Sequence, residues 1–515
     1  MNVLGGGDVM YSVLQFIIAL LPIAVLFVGF LLFKLSAFRT SLLAWVVELA
    51  VVILYYHETP LRVLEQSLWG ILTIWAGFLV LYTGQIFGQA YRATGLLAVL
   101  LNSVGSILPA HEKQAKALAL VAVIGGFIGA FNGFAVYPVV IPGLVALGFE
   151  SLQAVTAFLV YFGWPQPFVS LFIVPNISNV ASHVPVVDIV RVAGLMAIPL
   201  VFVSLLGFLK ILGFRFLEAK TQILFWGVWL SYTISIILFT QIWPAYGVMM
   251  LICGAALSLG VLYVYGRYTK GPLTNLAPAE PLKVHSGAMQ FRAYAPLAIG
   301  VAIVLIATIP SVKSALAALS FNISLWGYKP VTVGIFTSAG FYIFVTAMVC
   351  YLFRNNPADL SADLLAATKR ARAPLMTLAV GSALVYLLVD TGQIQLLAHS
   401  ISTGGPAVYA ALSPTLEFLG GMAFGQGLPA DFLLCKMQVP VAPTLGIPLA
   451  VLVGIVTVMS EAPPNALKPT QIAYTQALVN LKGKDGDIFR ICLKWQLLQL
   501  FVETIVAFVL VFTWS

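Results

Sequence analysis

Apolar residues along this chain gather into runs of about 20, parted by short polar stretches, as bilayer-spanning helices require. They predict helices near residues 11–33, 41–56, 65–88, 116–131, 151–173, 187–209, 222–241 and 244–264. The pattern resumes near 295–310, 331–353, 374–391, 406–424, 446–460 and 492–513. Four further stretches, 91–108, 134–147, 428–445 and 469–480, are apolar but short or interrupted by Gly and Pro, and read as half-helices or re-entrant hairpins. The expected fold class is an all-α integral membrane protein of about 12–14 transmembrane helices.

Composition agrees. Of the residues, 61% are hydrophobic and 9% charged, where a soluble domain carries roughly a quarter charged. The net charge of +8 does not indicate nucleic acid, because the basic residues sit in short loops where they orient membrane helices. Six such clusters occur, beginning at Lys34, Arg92, Lys210, Arg267, Arg354 and Lys482. If all six face the cytoplasm, both termini lie outside, in a multi-pass protein of the cell membrane. The first run is expected to be a retained helix, since no small-residue cleavage site follows it. The polar stretch 265–292 reads as a cytoplasmic linker between an N-terminal half, 1–264, and a C-terminal half, 293–515.

Two Gly- and Pro-broken regions carry the functional signal. The first reads GGFIGAFNGFAVYPVVIPG (Gly125–Gly143), followed by YFGWPQPF (Tyr161–Phe168). The second reads LGGMAFGQGLPADFLLCKMQVPVAP (Leu419–Pro443), followed by MSEAPPNALKPTQ (Met459–Gln471). The loop charges make the two regions cross the bilayer in opposite senses, so the halves have the look of an inverted repeat. Main chain freed from helices at membrane depth must line a protected, hydrated cavity. The N–H groups at half-helix starts there suit an anion. The expected substrate-binding residues are Asn132, Gly133, Tyr137, Gln166, Gln426, Gly427, Lys436 and Asn465. Asp431 and Glu461 are the expected ion-coupling carboxylates. Glu461 and Lys468 bracket Pro463–Pro464–Asn465; for these two, as for Asp431 and Lys436, the plainer reading is mutual pairing or a place near the interface where the side chain snorkels. Cys253, Cys350, Cys435 and Cys492 have no metal spacing and read as small buried hydrophobes. No phosphate-binding loop, HExxH, GxSxG or CxxC occurs, and neither an enzyme nor a cofactor is expected.

The same stretches resemble a known family. GFIGAF, then GF and a Pro, then LVALGF (Leu144–Phe149) resembles the first signature region of the L-lactate permease family. RAYAP (Arg292–Pro296) with IATIPSVKSAL, and KPTQIA (Lys468–Ala473) with GKDGDIFR (Gly483–Arg490) and a final TW, are similar to its second half. The resemblance implies a proton symporter importing 2-hydroxymonocarboxylates such as lactate and glycolate. Its partners would be a small carboxylate, a proton (or Na⁺) and the lipid bilayer. A homodimer is one open assembly state. The chain departs from the family where an acidic residue and Gly-Ala-Ala-Gly-Phe-Gly usually stand; here GAF runs directly into Asn132–Gly133. It also has Gln426–Gly427–Leu428–Pro429–Ala430–Asp431 in place of a Ser/Thr/Asp-rich run. The alternatives are an Na⁺-coupled or di/tricarboxylate transporter, a membrane subunit of a proton-pumping redox complex, and an enzyme acting on lipid-linked substrates.

Overall fold

The fold was analysed in a computed structural model, which describes residues 13–514 except 30–32, 34, 107, 109–111, 270–285, 329, 425–426 and 482. Gln426 and most of the expected linker lie outside the described residues. The chain is helical almost throughout. Its first helices are α1 (Val13–Phe27), α2 (Ala37–Leu54), α3 (Pro60–Thr73), α4 (Trp75–Ala93) and α5 (Leu96–Ser106). There follow α6 (Lys113–Leu118), a π turn, α7 (Gly125–Phe131), α8 (Gly133–Ala146), α9 (Ser151–Tyr161) and α10 (Val169–Ser182). The N-terminal half closes with α11 (Val186–Ile211), α12 (Ala219–Ile236) and α13 (Met250–Tyr268).

The second half opens with α14 (Gly287–Thr308), α15 (Pro310–Ala317) and a two-stranded hairpin, β1 (Phe321–Ile323) and β2 (Val331–Val333). Then come α16 (Ala339–Leu352), α17 (Leu360–Asp390), α18 (Gln393–Ser402), α19 (Gly405–Phe424) and α20 (Gly427–Leu445). It ends with α21 (Leu449–Met459), α22 (Pro469–Leu478) and α23 (Asp485–Thr513). Among the described residues, seven helices are long and apolar enough to cross a membrane. They are joined by two bent pairs that each make a broken span and by four shorter apolar helices.

Three apolar runs fold differently from their first reading. The run 65–88 is cut at Ile74 into α3 and α4, which meet at 54°; no Gly or Pro marks the cut. The run 331–353 begins as strand β2, and helix starts only at Ala339, where the Ser338 side chain accepts from the Phe341 N–H. The run 374–391 is the end of a 31-residue helix that starts at Leu360 on an Asp359 cap.

The two sequence halves interleave. Helices α2–α5 pack against α14, α16 and α17, while α9–α11 pack against α20, α21 and α23. In the second group one succession of elements occurs twice. In the N-terminal half a helix ends at Asn132, α8 follows, then α9, a break at 162–168, and α10. In the C-terminal half α19 ends, α20 follows, then α21, a break at 460–468, and α22. Each long break is a turn followed by one 3-10 turn, Gln166–Phe168 or Asn465–Leu467, that opens on an amide residue. Helices α9 and α21 are buried on all sides over their last turns. The breaks therefore lie inside protein, where irregular main chain can exist at membrane depth.

Candidate functional site

The breaks bring the polar residues together. A narrow cavity, about 60 Å³ to the centre of a water molecule, is lined by Asn132, Gly133, Gln166, Gly427, Glu461 and Asn465, with Ser170, Lys468 and Gln471 beside them. At roughly 10–15 Å³ per water centre, this holds a few waters or one small anion. Six of the ten residues expected from sequence thus share one wall.

Local folding explains each position. Asn132 has extended backbone between α7 and α8, so its side chain can cap α8, accepting from the Phe134 N–H at 3.0 Å. Its Nδ2 donates to the carbonyl of Gly84 on α4. With both ends of the amide engaged, Asn132 fixes the break and presents the start of α8 to the cavity. Gly427 opens α20 in the corresponding place. A Cβ there would collide with the Glu461 carboxylate, so only glycine lets an acid rest against the first turn of α20. The positive end of that helix favours a negative charge at this spot.

Glu461 and Lys468 face each other across the second break, Nζ to Oε2 at 3.2 Å, and both side chains are buried. Pro463–Pro464 and the 3-10 turn bend the segment 461–468 back on itself, so its two ends meet. The plainer sequence reading, mutual pairing, holds. The pair is also the strongest charged feature of the cavity wall.

Tyr137 stands behind the cavity rather than in its wall. It is buried, and its hydroxyl lies 3.2 Å from Gln166 Nε2 and 3.4 Å from Asn465 Nδ2. It thereby ties the equivalent amides of the two breaks together.

Asp431 and Lys436 are not in the wall. Asp431 is fully buried on α20, with Oδ2 2.8 Å from Ser178 Oγ, which lies 2.8 Å from Thr457 Oγ1. Lys436 places its Nζ 5.8 Å from the centre of the Phe432 ring. Helical spacing turns it off the face that Gly427 shows to the cavity.

Sequence reading missed Ser170 and underweighted Lys468. Ser170, Leu171 and Phe172 have φ of 54°, 53° and 64°, a left-handed turn that costs L-residues about 1–2 kcal/mol each. Ser170 Oγ accepts from the Gly133 N–H at 3.3 Å, and Leu171 and Phe172 are buried. Packing thus enforces a conformation for which the sequence carries no glycine signal. Strain of this kind gathers at functional sites.

The sequence profile of the L-lactate permease family matches residues 15–514. The chain belongs to that family. As a member of the L-lactate permease family it is a membrane-spanning transporter, not an enzyme. It is 24% identical to the L-lactate permease of Bacillus subtilis (strain 168), over 99% of this chain and 98% of that one. It is 23% identical to the L-lactate permease of Escherichia coli (strain K12), over 94% of each. Among solved structures it is similar to Neisseria gonorrhoeae MtrF, described as one of a class of antimetabolite efflux pumps, with TM-score 0.45, 12% identity and coverage of 96% of this chain and 98% of that one.

Proposed function

We propose that this protein imports a small monocarboxylate such as lactate or glycolate across the cell membrane by proton symport. The observation that carries this reading is the buried Glu461–Lys468 ion pair in the wall of a cavity made by two helix breaks.

Charge balance supplies the mechanism. As it stands, the pair leaves the site neutral. An incoming carboxylate adds one negative charge, and an unpaired charge at bilayer depth is costly. If Glu461 takes a proton, Lys468 is released to the carboxylate, and the site is neutral again. Removing one partner of a buried pair without replacement costs about 3–5 kcal/mol, enough to make proton and anion occupy the site together. The substrate carboxylate would take the place of the Glu461 carboxylate between Lys468 and the first turn of α20. Its 2-hydroxyl would reach the Gln166 and Asn465 amides, which Tyr137 holds in place. Gly133 and Gly427 keep the main chain at both helix starts close to the ligand.

The repeated succession of elements supports alternating access, with the two broken units running in opposite senses and moving against their surroundings. Both termini would lie outside, and the segment 265–292 would link the two halves in the cytoplasm. Of the two carboxylates expected to couple the ion, Glu461 is assigned the proton. Asp431 is assigned to the support of α20 against α10. Uptake into proteoliposomes tests the reading. Glu461→Gln should abolish accumulation driven by a pH gradient while still exchanging labelled lactate for unlabelled.

A further inference from the structure

A second and larger cavity, about 480 Å³ to the centre of a water molecule, adjoins the first. Val80 and Ile173 line both. The left-handed turn divides them: Ser170 borders the inner cavity, Leu171 and Phe172 the outer one. The outer cavity lies at the end of the bundle remote from Tyr268 and Gly287. Helix α13 ends at Tyr268 and α14 begins at Gly287. Pro244, ahead of α13, and Thr308, at the far end of α14, both line the outer cavity.

Its wall has a definite chemistry. Among the described residues it carries, beside apolar groups, hydroxyl and amide side chains that include Asn176, Thr332 and Ser338, one cation (Lys313), and no carboxylate. Lys313 is exposed on α15 and, among the described residues, makes no salt bridge. The hairpin side of the wall is fastened down. Trp75 Nε1 donates to the Thr332 carbonyl at 3.2 Å. Tyr328 stacks on Trp69 with ring centres 5.2 Å apart, and the Arg62 guanidinium lies 4.6 Å from the Tyr328 ring centre.

We propose that this outer cavity is the access vestibule through which the anion reaches the site, and that Lys313 is its charge-selecting residue. The inference rests on the carboxylate-transport reading above. A single cation in a recess with low-dielectric walls focuses its field on the cavity and concentrates anions there. Among the described residues, no acid in the wall opposes it. Because Lys313 is exposed, it acts on arrival rate more than on affinity, and salt screens it.

Thiol labelling tests the vestibule without requiring transport. Asn176→Cys, in a background with the four native cysteines replaced by Ala, is treated with an anionic and a cationic methanethiosulfonate. Each rate is divided by that reagent's rate with a small free thiol. At low salt the corrected ratio should favour the anion. Lys313→Glu should lower that ratio several-fold, Lys313→Arg should restore it, and about 0.5 M salt should erase the difference. Thr337→Cys, also in the wall, is a second reporter should Asn176→Cys fail to fold. A ratio indifferent to Lys313→Glu, or labelling only from the side bearing Tyr268 and Gly287, overturns the proposal. Such a result with uptake still dependent on Glu461 and Lys468 refutes the vestibule alone. An intact labelling preference with uptake indifferent to those two residues refutes the site reading instead.

Discussion

Gly163 and Ala462 hold the two breaks back to back: a Cβ on Gly163 would stand 2.7 Å from the Ala462 carbonyl oxygen. Each residue occupies the same place in its own break, in the turn just before the 3-10 segment. The cavity thus forms where two equivalent irregularities touch, and neither could pack there if the other were a continuous helix.

That contact leaves no room for a methyl group. Gly163→Ala should destabilise the protein by about 1–3 kcal/mol, the usual cost of forcing extra carbon into a filled core. It should also lower uptake, by shifting Asn465 against Gln166. Thermal unfolding in detergent with and without lactate checks both effects; an unchanged midpoint would mean the breaks are not in contact.

Gly427 makes room for the Glu461 carboxylate, so Gly427→Ala should damage the site more than the fold. Apparent affinity for lactate should fall at least tenfold, the equivalent of about 1.4 kcal/mol, with expression near normal. A variant with wild-type KM would show that the carboxylate does not need the start of α20.

Lys468 and Lys436 should behave differently. Lys468→Ala leaves Glu461 buried and unpaired, and uptake should fall to background; Lys468→Arg should retain a measurable fraction. Lys436→Gln should leave KM within about twofold, since this lysine lies beside Phe432 and outside the cavity wall. Initial-rate uptake over a range of lactate concentrations separates the cases. A large KM effect at Lys436 would restore it to the site.

Asp431 should tolerate Asn. The amide keeps an oxygen for Ser178 Oγ, 2.8 Å away in the native protein, and adds no charge to a dry position. Asp431→Asn should therefore fold and retain pH-driven uptake within a few-fold, whereas Asp431→Leu should lose stability because the buried Ser178 hydroxyl loses an acceptor. Loss of coupling in Asp431→Asn with exchange intact would assign the proton to Asp431 rather than to Glu461.

Much of this arrangement was legible in the sequence, for a definite reason. Gly and Pro clusters inside apolar runs mark main chain that cannot be lipid-exposed helix. That reasoning found both breaks, with Asn132, Gln166, Gly427, Glu461 and Asn465 beside them. Other features depend on packing and left no local mark. The bend at Ile74 contains neither Gly nor Pro, and the left-handed turn at Ser170–Phe172 is imposed on ordinary L-residues by their surroundings. Strand β2 was hidden because Val331–Val333 is as apolar as the helix that follows. Lys436 is a cation close in sequence to the second break. Helical geometry settled which lysine meets the cavity, and Lys468 is brought there only by the fold of the Pro463–Pro464 turn.

The most direct test of the Glu461–Lys468 exchange is the number of protons taken up with each anion. It is read from lumenal pH and labelled lactate in the same proteoliposomes. The account predicts one proton per lactate for the native protein, and lactate exchange without proton movement for Glu461→Gln. Continued acidification of the lumen in step with lactate uptake by Glu461→Gln would contradict it.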